Sequence, residues 1–193
     1  MVILAITGTI GSGKSVVARM MEVMGVPVYD CDSRAKALMA VDAGIVKELK
    51  RMFGDECYAA DGVLDRKYLA SCIFVDEVNV KRVNALVHPV VKKDFLRWAA
   101  LQDAPVVAVE TALLYESGMI DAVDKVLAVW ADEETAIERT MARSGMSRSQ
   151  VMNRLQKQMT TDELLLLSNF SIYNGGDNPV LPEVVSLLDE LGR

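Results

Sequence analysis

The sequence predicts an α/β fold with a five-stranded parallel sheet flanked by helices. Three observations predict it. The runs Val2–Thr7, Val26–Tyr29, Val106–Glu110, Val126–Trp130 and Phe170–Tyr173 are β-branched or aromatic-rich and apolar on both faces, as buried parallel strands are. Segments with helical periodicity separate them. A glycine-rich loop joins the first run to the first helical segment. Strand–helix–strand alternation of this kind builds a parallel sheet, because each crossover returns the chain to the same edge.

Composition bounds the class. A chain of 193 residues suits one domain, or one domain with an inserted subdomain. Hydrophobic residues make up 51% and charged residues 25%, which excludes a disordered chain. With 27 acidic against 21 basic residues the net charge is −6, which argues against a nucleic-acid partner. The cysteines, Cys31, Cys57 and Cys72, are odd in number and show no zinc or dithiol spacing, which points to a reducing compartment. A single histidine excludes a His-rich metal site. No apolar run approaches the roughly 18 residues of a membrane helix. The N-terminal run enters the glycine loop directly and reads as a strand, not a signal peptide. The expectation is a soluble cytoplasmic protein, a monomer or weak homo-oligomer, with no membrane partner.

The elements follow in order. The first strand leads into Gly8-Thr-Ile-Gly11-Ser12-Gly13-Lys14-Ser15, and a helix over Lys14–Met24 carries Val17, Met20, Met21 and Met24 on one face. Gly25 stops it and Pro27 lies just beyond. The second strand runs into Asp30-Cys31-Asp32. From about 42 to 103 the pattern turns mostly helical, with a turn at Asp61-Gly62, and reads as an insertion between the second and third strands. Within it Pro89 falls inside a helical stretch, Glu77 to Ala100, where proline kinks or breaks a helix and frees the Ala85 carbonyl. Asp132 begins a helix with Glu133 and Glu134 in its favourable first turn. Gly145 is a hinge candidate, and Ser147 to Gln150 forms a capping box for the next helix, so that 139–158 reads as a lid. Pro179 to Leu191 reads as a final amphipathic helix.

The loop carries the strongest chemical signal. It matches G-x-x-x-x-G-K-[ST] at every fixed position, between a strand and a helix. Gly8, Gly11 and Gly13 let backbone N–H groups approach phosphate oxygens, with Ser12 between them, and the helix starting at Lys14-Ser15-Val16 adds its positive end. Lys14 reaches the β/γ phosphates, and the Ser15 hydroxyl is placed to ligate Mg²⁺. No Asn-Lys-x-Asp occurs, and the one Asp-x-x-Gly is Asp189 to Gly192, far from any switch position, which argues against a GTPase. No strand ends in the run of acids that an ATP-driven motor needs. What remains is a small kinase of three-layer P-loop architecture, with an inserted helical acceptor domain and a lid.

Three further features admit both a chemical and a structural reading. Asp32 lies at the carboxyl edge of the predicted sheet, where ligands bind, and suits a base that orients an attacking hydroxyl. Asp32, or Ser33, equally suits a plain N-cap of the helix that follows. Arg139 and Arg143 lie four apart on one helix with no acidic neighbour at three or four residues, so an anion brought by a ligand would relieve them. A solvated basic face is the plain alternative, as it is for Arg148 and Arg154. His88, before Pro89, is either a cleft contact or a structural histidine.

These residues in this order resemble the dephospho-coenzyme A kinase family over nearly the whole chain. The resemblance rests on the phosphate loop, Tyr29-Asp-Cys-Asp32, Phe53-Gly54, Asp61-Gly-Val-Leu-Asp-Arg66, Ile73-Phe74, His88-Pro89, Ala112-Leu-Leu-Tyr-Glu-Ser-Gly118, Arg154-Leu-Gln-Lys-Gln158 and Asn174-Gly175. It implies ATP and dephospho-coenzyme A as substrates and coenzyme A and ADP as products. It implies Asp32 as the base for the ribose 3′-hydroxyl, Gly11 to Val16 as ATP-binding, and His88, Leu113 and Leu114 near the acceptor. It places Arg139 and Arg143 in the lid and Asn174-Gly175 beside the adenine. The chain departs from the family at Val16, where threonine is usual, at Thr111-Ala112 before Leu-Leu, and at Ser168-Asn169. A nucleoside or nucleotide kinase of the same architecture and an ATP-binding regulatory module are the rival readings.

Overall fold

In the computed structural model, which describes residues 1–192, β1 (Val2–Thr7) occupies the middle of the sheet. It pairs in parallel with β3 (Val106–Glu110) on one side and β4 (Lys125–Trp130) on the other. β2 (Val28–Asp30) lies beyond β3 and β5 (Phe170–Tyr173) beyond β4, giving the order β2-β3-β1-β4-β5. Every pairing is parallel, so the carboxyl ends of all five strands share one edge. Leu4, Ala5, Ile6, Val107, Ala108 and Val109 are fully buried, although neighbours along a strand point to opposite faces; the sheet is therefore covered on both sides. On one side α1 (Lys14–Val23) contributes Val17 and Met21, and α9 (Val180–Glu190) contributes Val184 and Leu188, to a core with Leu4, Ile6 and Leu127.

The chain forms two compact units, one made of residues 1–30 with everything from Ala99 onward, the other of Cys31–Trp98. The first contains the sheet, α1, and the helices α6 (Glu133–Ser144), α7 (Arg148–Leu155), α8 (Thr161–Leu167) and α9. The sequence places an insertion at about 42–103; the second compact unit takes in α2 (Cys31–Val41) as well. Arg34 of α2 makes a two-pronged ion pair with Asp94 of α5 (Glu77–Ala99), Nε–Oδ2 2.9 Å and Nη2–Oδ1 3.0 Å, which binds α2 to the inserted helices. The Tyr58 hydroxyl donates to the Met39 carbonyl of the same helix at 2.6 Å, and burial pushes its pKa up to about 12. Asp42 and Asp65 cap α3 (Ala43–Phe53) and α4 (Arg66–Ile73) by accepting N–H bonds from Ile45, and from Lys67 and Tyr68.

Two local expectations change. The helix continues through Pro89 from Glu77 to Ala99. Val83, Val87, Val91 and Phe95 are buried at four-residue spacing, whereas Pro89 and Ala85 lie on the exposed side, where solvent is available to the carbonyl that the proline leaves unpaired. β2 begins at Val28, after Pro27, and α2 follows it without a connecting residue. Among the described residues no helix is long and apolar enough to cross a membrane.

Candidate active site

β1 ends at the fully buried Thr7, and the loop Gly8–Gly13 carries the chain to α1. Unlike α3 and α4, α1 starts without a side-chain cap: Gly13 holds the N-cap position at φ +92° and no acidic residue occupies the first turn. No capping side chain therefore competes with a ligand for the positive end of α1, although within the first turn the Val16 N–H donates to the Gly13 carbonyl at 2.9 Å. Lys14 is half-buried in the first turn; Ser15 and Val16 beside it are exposed. Val16 and Ser15 line a groove of about 480 Å³ between α1 and α9, together with Arg19, Met20 and Leu181. The Ser12 and Thr7 hydroxyls are buried without a hydrogen-bond partner, an arrangement costly enough to be rare outside functional sites.

The loop is shaped by contacts from distant parts of the chain. A Cβ on Gly11 would fall 2.1 Å from the Ala136 carbonyl oxygen of α6, so the loop backbone lies directly on that helix and only glycine fits. At Gly13 the amide of Asn174 takes the space, and its Nδ2 donates to the Ser12 carbonyl at 2.9 Å. Asn174 follows β5; its N–H donates to the Trp130 carbonyl at 2.7 Å and continues the β4–β5 ladder. The Arg139 guanidinium donates to the Asn174 carbonyl at 2.6 Å. The structure thus brings the phosphate loop, Arg139 and Asn174 together. Gly175 is buried next to them, against the Tyr173 ring.

Asp132 holds the N-cap position of α6 but makes no cap bond. Its carboxylate accepts the Tyr173 hydroxyl instead, which raises the Tyr173 pKa, and the Tyr173 ring packs on Trp130 with centroids 4.5 Å apart. Arg143, in the last turn of α6, is exposed and has no ion pair among the described residues, whereas Arg148 pairs with Glu134 (Nη2–Oε2 2.6 Å) and holds that carboxyl below its ordinary range. Ser147 and Gln150 form the expected capping box. A second box, Thr160 with Glu163, starts α8 and has the same local signature of a hydroxyl residue followed three positions later by glutamate or glutamine.

Asp32 and His88 belong to the second unit. Asp32 is exposed in the first turn of α2, which starts at Cys31; neither it nor Ser33 is the N-cap. His88 is half-buried on α5. Leu113 and Leu114 follow β3 in a turn where Thr111 Oγ1 accepts the Leu113 N–H at 3.1 Å. Leu114 is fully buried, which leaves the half-buried Leu113 as the side chain open to a ligand there. The departure at Ser168-Asn169 has a structural use: the Ser168 hydroxyl donates to the Leu164 carbonyl at 2.6 Å, and Asn169 Oδ1 accepts the Val126 N–H at 2.9 Å, extending the pairing of β5 with β4.

A central β1 leading through an uncapped phosphate loop into α1, in a parallel sheet of order 2-3-1-4-5, with an arginine-bearing helical arm beside the loop, defines a P-loop kinase. The model of the dephospho-CoA kinase family matches residues 2–179, and the chain belongs to that family. A dephospho-CoA kinase of Bacteroides fragilis is 39% identical over 186 residues, covering 96% of this chain and 90% of the relative. One from Porphyromonas gingivalis is 36% identical over 190 residues, covering 98% and 94%. Among solved structures, a Thermus thermophilus protein superposes with a TM-score of 0.84 at 35% identity, covering 100% of this chain and 98% of its own. The dephospho-CoA kinase of Campylobacter jejuni shares the fold with a TM-score of 0.73 at 23% identity, over 98% and 96% of the two chains.

Proposed function

We propose that this protein transfers the γ-phosphoryl group of ATP to the ribose 3′-hydroxyl of dephospho-coenzyme A, giving coenzyme A and ADP in the last step of coenzyme A synthesis. The observation that carries the reading is the family match over residues 2–179, on a chain whose phosphate loop opens into an uncapped helix terminus. The stretch Gly11 to Val16 receives the phosphates through those of its N–H groups that the loop does not itself use, the Ser12 N–H donating to the Thr9 carbonyl and the Val16 N–H to the Gly13 carbonyl, with Gly8 and Ser12 shaping the loop. Lys14 neutralises the β/γ oxygens, and Asn174 with Gly175 borders the adenine. Asp32 orients the 3′-hydroxyl and takes its proton as the oxygen attacks phosphorus and ADP departs; His88, Leu113 and Leu114 border the acceptor. Phosphoryl transfer is largely dissociative, so an ordinary carboxylate is basic enough and its position decides the rate. Arg139 and Arg143 offset charge on the transferring group.

Mg²⁺ fits this donor set. Ser15 offers an exposed hydroxyl at the head of α1, and among the described residues no group of three His, Cys, Asp or Glu builds a separate cage. Mg²⁺ characteristically binds through substrate phosphates and one or two protein oxygens. Held by Ser15 and the substrate phosphates, it would offset negative charge on the phosphate oxygens. A cytoplasmic location is part of the proposal, in keeping with three free thiols.

The test is incubation with ATP, Mg²⁺ and dephospho-coenzyme A, with adenosine and nucleoside monophosphates as competing acceptors. Equimolar coenzyme A and ADP, from dephospho-coenzyme A alone, is the expected result. Preferential phosphorylation of a nucleoside removes the acceptor assignment, and ATP binding without any turnover removes the enzyme reading.

A further inference from the structure

We propose that Gln158 is a positioning residue for the phosphate loop, holding the Thr9–Ile10 peptide from outside so that the N–H groups after it face the ligand. The inference deepens the ATP-dependent reading of the loop and rests on it. Every backbone N–H in a half-buried loop needs a partner, and in a phosphate loop each donor faces either the phosphates or a group of the protein. Ile10 N–H donates to Gln158 Oε1 at 2.9 Å, across 148 residues of sequence and in a partly buried setting. That donor is therefore committed to the protein, which fixes one peptide plane at the start of the loop.

The residue is well placed to hold a fixed position. Its own N–H bonds the Leu155 carbonyl at 3.0 Å, closing the end of α7, and two residues later Thr160 begins the capping box of α8. Gln158 thus sits between two closed helix ends. Behind Thr9 the packing is open: a cavity of about 360 Å³ lies among Thr9, Ala136, Met152, Leu155 and Met159. Helix α6 supports the loop at Gly11, and the Thr9 carbonyl accepts the Ser12 N–H at 3.2 Å within the loop; the N–H side of the Thr9–Ile10 peptide is held by Gln158. Gln158 also ends the α6–α7 arm that carries Arg139 and Arg143. The one bond therefore ties the loop's shape to the base of the arm.

The test uses the full chain and three variants, Gln158→Ala, Gln158→Asn and Gln158→Glu. Hydrogen exchange of the Ile10 amide is read by NMR, with the Leu4–Ile6 amides as internal controls. MgATP affinity is read by calorimetry without acceptor, and KM is measured for each substrate. Loss of the acceptor atom in Gln158→Ala is expected to speed Ile10 exchange and weaken MgATP binding by about tenfold, the effect of orphaning one buried donor. The KM of the acceptor substrate and the β1 exchange rates stay unchanged. Asparagine, one methylene too short, behaves like alanine; glutamate keeps an acceptor at full reach and restores Ile10 protection. Unchanged Ile10 exchange, unchanged MgATP affinity, or full function in Gln158→Asn overturns the proposal. So does an affinity loss matched by faster exchange throughout β1, which marks a merely structural residue. If Gln158→Ala does not fold, the asparagine and glutamate pair carries the same comparison. Wild-type protein that binds MgATP but does not phosphorylate dephospho-coenzyme A refutes the functional reading and leaves these binding and exchange outcomes intact.

Discussion

Alanine at Gly13 tests whether the phosphate loop is held by Asn174. Gly13 lies at φ +92°, ψ 20°, and a Cβ there would fall 1.8 Å from Asn174 Nδ2 and 3.1 Å from its Cγ. The left-handed backbone alone costs alanine about 1–2 kcal/mol. The amide of Asn174 must also swing away, breaking its 2.9 Å bond to the Ser12 carbonyl. A hydrogen bond of this kind contributes about 0.5–1.5 kcal/mol, and more if the carbonyl is left dry. Gly13→Ala should therefore destabilise the ligand-free protein by about 2–4 kcal/mol. In an Asn174→Ala background the obstruction and the bond are both absent, so only the backbone cost of about 1–2 kcal/mol remains. Urea unfolding of the two single mutants, the double mutant and wild type closes the cycle, with a coupling of about 1–2 kcal/mol expected. Equal costs for Gly13→Ala with and without the Asn174 side chain would refute the clamp.

Three more outcomes follow from the same geometry. Lys14→Ala should abolish turnover with the far-UV circular dichroism unchanged, and substantial residual activity would sink the role given to Lys14. Asp32→Asn should lower kcat by about 100-fold or more while MgATP affinity stays near wild type; an unchanged kcat would leave Asp32 as a helix-terminal acid. Tyr58→Phe should change the alkaline stability profile. The folded pKa of Tyr58, about 12, lies above the ordinary value of 10.0, so its contribution is complete below pH 10 and is lost as pH rises through about 12. The difference in Tm between wild type and Tyr58→Phe should shrink across that window, and a constant difference would contradict it.

Legibility in the sequence follows the range of the forces involved. β1, the loop and α1 are readable because strand pattern, glycine spacing and helix periodicity all act within a few residues. The Ser147 box is readable for the same reason, since its donor and acceptor are three residues apart. Asp132 is also an N-cap residue type, followed by two acids in the first turn, yet Tyr173, 41 residues away, takes its carboxylate. Pro89 carries a breaker signal, yet the helix survives because the carbonyl it strands faces water. The helix after β2 starts one residue before Asp32, because nothing in Asp-Cys-Asp-Ser marks which residue turns first. Asn174 and Gln158 are visible only through family resemblance. Their partners in the loop lie 162 and 148 residues away, and no periodicity spans that distance.

Several helices of this chain are closed by side chains at their N-termini, whereas α1, like α6 and α9, is not. Asp42, Asp65, Ser147 and Thr160 each close a helix N-terminus with a side-chain acceptor, which occupies N–H groups there. Had α1 been closed in the same way, its first N–H groups would be spent on the protein and a phosphate would have to displace the cap. Leaving α1 open removes that competitor but also removes the contact that normally fixes the entry of the chain into a helix. The contacts to the loop backbone supply what is missing: Asn174 at Ser12 and Gly13, α6 under Gly11, and Gln158 at Ile10. Asn174 and α6 bear on glycines, where the absence of Cβ admits backbone or amide, and Gln158 uses a backbone N–H. The loop is therefore ordered through its main chain while no capping side chain occupies the α1 N-terminus, a condition for binding phosphate without first reorganising.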